Sequence, residues 1–214
     1  MRIRQRSILL LLTAGLMGLP AEASVIFDNF SGNPGWNTQT ASGIPPNEAR
    51  GWAFTAASSQ SLDNIVLPLA HWVTSSAGNA RVLLMNDLAG AVNPNSVLES
   101  WDIFVSTSFG GYPATTLVSQ LHPGMVQGTQ YWLAVINPGG GSDMLDWHHN
   151  SLNATAPGAV YWNGNWSSGG NTLQGAMQLN GSPAAVPEPE SYAMLLAGLG
   201  LLGFIARRRK QNAV

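Results

Sequence analysis

Between residues 24 and 186 every apolar run is soon interrupted by Gly, Asn, Ser or Pro, a rhythm that accommodates short strands and turns but not helices. Apolar side chains recur at alternate positions. In Ser61–Val73, Ile65, Leu67 and Leu69 share one face of an extended chain. Tyr131–Ile136 is apolar throughout, which suits a central strand covered on both faces. Val25–Phe30, Trp52–Ala56, Ala80–Asn86, Val97–Val105 and Thr115–Gln120 read as further strands, and Asp87–Ser96, with Gly90 and Pro94, as a turn-rich connection. Gly158–Trp162 and Trp166 flank Asn163-Gly164-Asn165, where Asn and Gly accept the positive φ of a tight hairpin. Thr172–Asn180 alternates, with Leu173, Met177 and Leu179 on one face and Gln174, Gln178 and Asn180 on the other. This pattern predicts an all-β domain over 24–180, an antiparallel jelly-roll-like β-sandwich, then a linker at 181–186.

The two ends follow a different logic. Arg2, Arg4 and Arg6 precede an apolar stretch at 7–19, which leads to the small-x-small exit Ala21-Glu22-Ala23. That is the layout of a signal peptide over 1–23, cut by signal peptidase after Ala23. Its apolar core is shorter than the roughly 20 residues of a lasting span.

At the other end Pro187 and Pro189 remove backbone donors and hold a short extended segment around Glu188. Tyr192–Ala206 is uncharged and mostly apolar, and reads as a single transmembrane helix at 192–206. At about 1.5 Å per residue it reaches only roughly 22 Å, so it needs tilt or a thinned bilayer. Arg207, Arg208, Arg209 and Lys210 then stop transfer on the cytoplasmic side. Pro-Glu-Pro, a short glycine-containing apolar helix and a terminal basic cluster together resemble the tripartite signal of PEP-CTERM proteins, here over 187–210. The resemblance implies an exosortase as processing partner and a Gram-negative producer of exopolysaccharide and biofilm. It also implies a brief stay in the inner membrane before the cell surface or extracellular matrix. It implies no catalytic activity of the cargo.

Charge is partitioned as sharply as hydropathy. Residues 24–186 keep two cations, Arg50 and Arg81, against eight carboxylates, a net charge of −6. Such a field repels phosphate backbones and argues against nucleic acid as a partner. With no cysteine, disulfides and thiolate metal sites are excluded.

Gly51-Trp52-Ala53-Phe54-Thr55, the strand from Leu62 to Leu69, Arg81-Val82-Leu83-Leu84-Met85-Asn86-Asp87, Val97-Leu98-Glu99 and Gly128-Thr129-Gln130-Tyr131-Trp132-Leu133-Ala134-Val135 resemble the choice-of-anchor class of exported β domains, type R. The resemblance spans roughly 25–180 and implies a fold and a setting rather than an activity. Among the eight tryptophans, Trp52 and Trp132 sit inside apolar strands and are expected in the core. Trp147, Trp162 and Trp166 neighbour His, Asn and Gly, and are candidates for stacking on sugar faces. Asp143-Met144-Leu145-Asp146-Trp147-His148-His149-Asn150 reads as a solvated loop or edge, in which Asp143 and Asp146 are the candidate oxygen ligands for Ca²⁺ and the histidines could hold a softer metal. Its spacing matches no tight metal motif, and no cofactor is expected. No nucleophile elbow, His-Glu-x-x-His or phosphate-cradling loop is present. The expected function is a non-enzymatic, surface-sorted structural or matrix component. A carbohydrate-binding module is the alternative, and a glycosidase-like enzyme is a third reading.

Overall fold

The computed structural model describes residues 24–30, 35–71, 77–106, 114–139, 144–183, 193–202 and 204. Thirteen strands are described: β1 (Ser24–Asp28), β2 (Trp36–Ile44), β3 (Ala49–Thr55), β4 (Gln60–His71), β5 (Gly78–Leu88), β6 (Ala91–Val105), β7 (Ala114–Val118), β8 (Gly124–Met125), β9 (Gln130–Ile136), β10 (Leu145–Asn150), β11 (Thr155–Trp162), β12 (Asn165–Leu173) and β13 (Gln178–Ser182). They form two antiparallel sheets. The first runs β1-β13-β4-β10-β2, with β7 and β8 also on β4. Ile65 of β4 faces Leu179 on one side and Leu117 on the other, so β13 and β7 flank β4 on opposite edges. The second sheet runs β12-β11-β3-β9-β5-β6.

The sheets share one core. Leu67, Leu69, Trp147 and Leu179 of the first meet Trp52, Val82, Leu84, Leu133 and Val135 of the second, all buried. Alternation explains the arrangement in β9. Leu133 and Val135 enter this core, while Trp132 and Ala134 point the other way. On that outer side Trp132 and Ala134 join Ala53, Met85, Val92 and Ala159, with Leu83 and Trp166 packed against them. Strands β6 and β12 stand at opposite ends of the sheet order yet touch. The sheet therefore curls over its own outer face. Bulges in the β5–β6 and β11–β12 pairs supply the added bend. The central strand covered on both faces, expected at Tyr131–Ile136, is present.

Three strand expectations need correction. Asp87–Ser96 is not a loop, because β5 and β6 continue through it to a two-residue turn at Ala89-Gly90. Both turn residues have positive φ, 52° and 86°, and Asp87 Oδ2 accepts the Gly90 N–H at 2.8 Å. Pro94 is tolerated because β6 is an edge strand. Strand β2 was not expected: its sequence, WNTQTASGI, is polar, as an edge position permits. Thr172–Asn180 is broken at Gln174, where the chain leaves the second sheet for the first. Side-chain amides replace the ladder there. Gln174 Nε2 donates to Ala53 O at 2.8 Å, Asn29 Nδ2 donates to Gln174 Oε1 at 3.0 Å, and Met177 N–H donates to Asn29 Oδ1 at 2.7 Å.

In the tail a helix is described over 193–202 and at 204. Among the described residues no helix is long and apolar enough to cross a membrane, so the span expected at 192–206 is not reproduced. Ala21, Ala23, Pro187, Glu188, Pro189, Arg207, Arg208, Arg209, Lys210 and Asp143 lie outside the described residues.

Candidate functional site

The three candidate tryptophans separate. Trp147 is 0% exposed in the shared core, with its ring edge-on to Trp52 at 4.7 Å and Nε1–H donating to Ala176 O at 2.9 Å. It is a core residue, which corrects the expectation that it sits on a binding surface. Trp166 is half-buried against the outer cluster, 5.4 Å from the Tyr161 ring. Trp162 is 62% exposed.

Strand β11 delivers Trp162 to the hairpin tip, where Asn163 (φ 49°) and Gly164 (φ 82°) make the expected two-residue turn. Trp162 lines a cleft of ≈ 590 Å³ between this tip, the β2–β3 turn and the segment leaving β9. Asn47 N–H donates to Asn137 O at 2.8 Å, and Asn137 N–H donates to Glu48 O at 3.0 Å. The Asn137 side chain is spent on this scaffold, donating to Ile44 O at 3.0 Å and accepting from Gly139 N–H at 3.2 Å. Gly139 has φ 84°, and a Cβ there would strike the Asn47 side chain. The floor is thus fixed by backbone. The Glu48 carboxylate keeps most of its capacity to accept hydrogen bonds, since its contact with Arg50 is a long 3.8 Å. Sequence reasoning missed this floor, although Pro45-Pro46-Asn47 and Asn137-Pro138-Gly139 are both strong turn signals.

A second cleft, ≈ 460 Å³, opens beside edge strand β2 and is lined by Ser42, Arg50, Trp52, His149 and Thr172 among others. Ser42 Oγ lies 2.9 Å from His149 Nε2, a distance suited to a nucleophile and its base. His149 Nδ1, however, is buried with no hydrogen-bond partner. An orphan N–H is the costlier state to bury. We therefore assign the proton to Nε2, which donates to Ser42. In that tautomer the imidazole draws no proton from the hydroxyl. Burial, and then the repulsion a protonated His148 would exert, lower the His149 pKa and favour the neutral ring.

The segment expected to be a solvated loop is instead β10, internal to the first sheet between β4 and β2. The physical reason is satisfied polarity. Leu145 and Trp147 enter the core, while the Asn150 side chain donates to Gln174 O at 2.7 Å and Ala154 O at 2.9 Å. Asp146 and His148 share the opposite face, and His148 Nδ1 lies 3.0 Å from Asn37 O. Burial pushes the Asp146 carboxyl up. Burial lowers the His148 pKa despite that backbone contact, which acts to raise it. Among the described residues no group of three or more His, Asp or Glu is placed to hold a metal ion.

No curated protein and no solved structure matches the chain. Residues 185–210, which take in Pro187-Glu188-Pro189 and the basic cluster from Arg207 to Lys210, match the PEP-CTERM protein-sorting motif, the address by which an exosortase recognises an exported, membrane-passing protein bound for the cell surface.

Proposed function

We propose that the chain is a non-catalytic structural or matrix protein of a Gram-negative cell surface, associated with exopolysaccharide or biofilm. The sorting motif at 185–210 carries this reading. In the proposed route the signal peptide over 1–23 starts export and signal peptidase removes it after Ala23. The apolar segment at 192–206 is a transient inner-membrane anchor. The exosortase then cuts near the Pro-Glu-Pro segment, whose two prolines disfavour helix and present an extended strand to the enzyme. Among the described residues no acid meets His149 Nδ1, and in the Nε2–H tautomer this pair does not activate the Ser42 hydroxyl. A second reading, a carbohydrate-binding module, is favoured by the exposure of Trp162 beside a cleft.

Replacing Glu188 and Pro189 together tests the route. The variant is expected to accumulate at full length in the inner membrane, while wild type is shortened and released. Processing and release of the variant at wild-type levels would overturn it.

A further inference from the structure

We infer that the cleft beside Trp162 is a binding site for a neutral glycan, with the indole as stacking platform and Asn47, Glu48 and Asn163 as the groups that read the sugar hydroxyls. The inference rests on the proposed association with extracellular polysaccharide, and it names the site and the ligand class.

The first observation is an exposed indole that the fold does not need. Tyr161 and Trp166, on either side of the hairpin tip, pack against each other at 5.4 Å, and Trp166 helps cover the outer cluster. Trp162 has no such task and leaves 62% of its surface in water. The turn between Trp162 and Asn165 needs Asn163 and Gly164 for their positive φ, not an aromatic beside them. An indole standing free at the rim of a cleft offers an apolar face to the C–H side of a pyranose ring.

The second observation is unspent hydrogen-bonding capacity around that indole. Among the described residues the Asn47 and Asn163 side-chain amides have no hydrogen bond, and Glu48 meets only the distant Arg50. Two amides and a carboxylate supply both donors and acceptors, as a polyhydroxyl ligand requires. Asn137 differs. Its side chain is committed to Ile44 and Gly139, so it positions the floor and does not contact the ligand.

The third observation is charge. Among the described residues a carboxylate lines the cleft and no cationic side chain does. With a net charge of −6 over 24–186, a polyuronate or sulfated chain is repelled, whereas a neutral one is not. The volume, ≈ 590 Å³, falls within the roughly 300–1,000 Å³ range of small-ligand sites.

The test is native affinity electrophoresis of the full-length chain in mild detergent. Gels contain galactomannan, mixed-linkage β-glucan or dextran as neutral probes, and alginate as the polyanion. At least one neutral probe is expected to retard the wild type, with little change on raising salt. Trp162→Ala should weaken binding about tenfold or more, corresponding to about 1.4 kcal/mol, with an unchanged melting temperature. Glu48→Gln should weaken it several-fold. Equal retardation of wild type and Trp162→Ala would overturn the site while leaving the polysaccharide association standing. Salt-sensitive retardation by alginate alone would overturn the neutral class. If no neutral probe retards the wild type, the glycan site is wrong. Whether the processed protein co-purifies with its producer's own extracellular polysaccharide then decides the matrix reading separately.

Discussion

Gly175→Ala is a sharp test of where Trp147 lies. Gly175 bridges His149 and sits against the buried indole. A Cβ added there would lie 2.7 Å from Trp147 Cε2 and 2.8 Å from Nε1, closer than real Cβ contacts allow. These are fused-ring atoms of a fully buried side chain, so they have nowhere to yield. The Gly175 φ lies outside the left-handed region, so the cost comes from the clash. Two effects compete. Ala restricts the unfolded chain and stabilises by about 0.4–1 kcal/mol, while overpacking costs about 1–3 kcal/mol. At mid-range values the clash wins by about 1.3 kcal/mol, a fall of about 3–5 °C in melting temperature for a domain of this size. Trp147→Phe removes Cε2 and Nε1, the two nearest of the three clashing atoms, and keeps a ring carbon near Cδ2, so Gly175→Ala should cost less in that background, with a coupling of about 0.5–1 kcal/mol. The phenylalanine variant itself loses the bond to Ala176 O and is expected to be about 1–3 kcal/mol less stable. Urea unfolding of the four proteins measures the cycle. A neutral or stabilising Gly175→Ala, or a coupling near zero, would refute the packing argument.

Two other outcomes follow from the buried polar groups. His148 and His149 are held neutral in the fold, with pKa values below the ordinary 6.5, so the unfolded chain binds protons first. Stability should be greatest above that value and decline as pH falls from about 7.5 to about 5.5. Asp146 acts in the opposite sense nearer its ordinary 3.8, and a melting temperature that is flat or rises across the window would contradict the assignment. Asp87 Oδ1 accepts from Trp132 Nε1 at 2.7 Å and from Gln130 Nε2 at 2.8 Å, while Oδ2 holds the hairpin turn. Asp87→Ala should cost about 1–3 kcal/mol and alter the near-ultraviolet circular dichroism of Trp132, and a shift in the urea midpoint worth under about 0.5 kcal/mol would show that the clamp is idle.

Strands with clean apolar alternation were legible in the sequence, as was the Asn163-Gly164 turn. Polar strands were not. Strand β2 is an edge and carries no stripe, and β10 carries Asp, His and Asn that read as a loop until their long-range acceptors are known. Gln174 misled for the same reason: its partners, Asn29 and Ala53, are 145 and 121 residues away. The cleft was half-legible. Trp162 announced itself beside a turn, while Asn47 and Glu48 come from a distant corner that only the β3–β9 and β3–β11 pairings bring to it.

The order β1-β13-β4 has a mechanical consequence. The sorted tail leaves the domain from β13, which is hydrogen-bonded to β1 on one edge and β4 on the other, with Ser24 opposite Gly181 and Leu62 opposite that same residue. Tension drawn along β13 from its tail end loads both ladders at once, in shear, rather than peeling one bond at a time. The rate of forced unfolding then follows the barrier for sliding β13 out from between its neighbours. A protein tethered through that strand would therefore hold longest against flow that pulls along the strand, and would give way soonest when β1 is peeled outward from the edge.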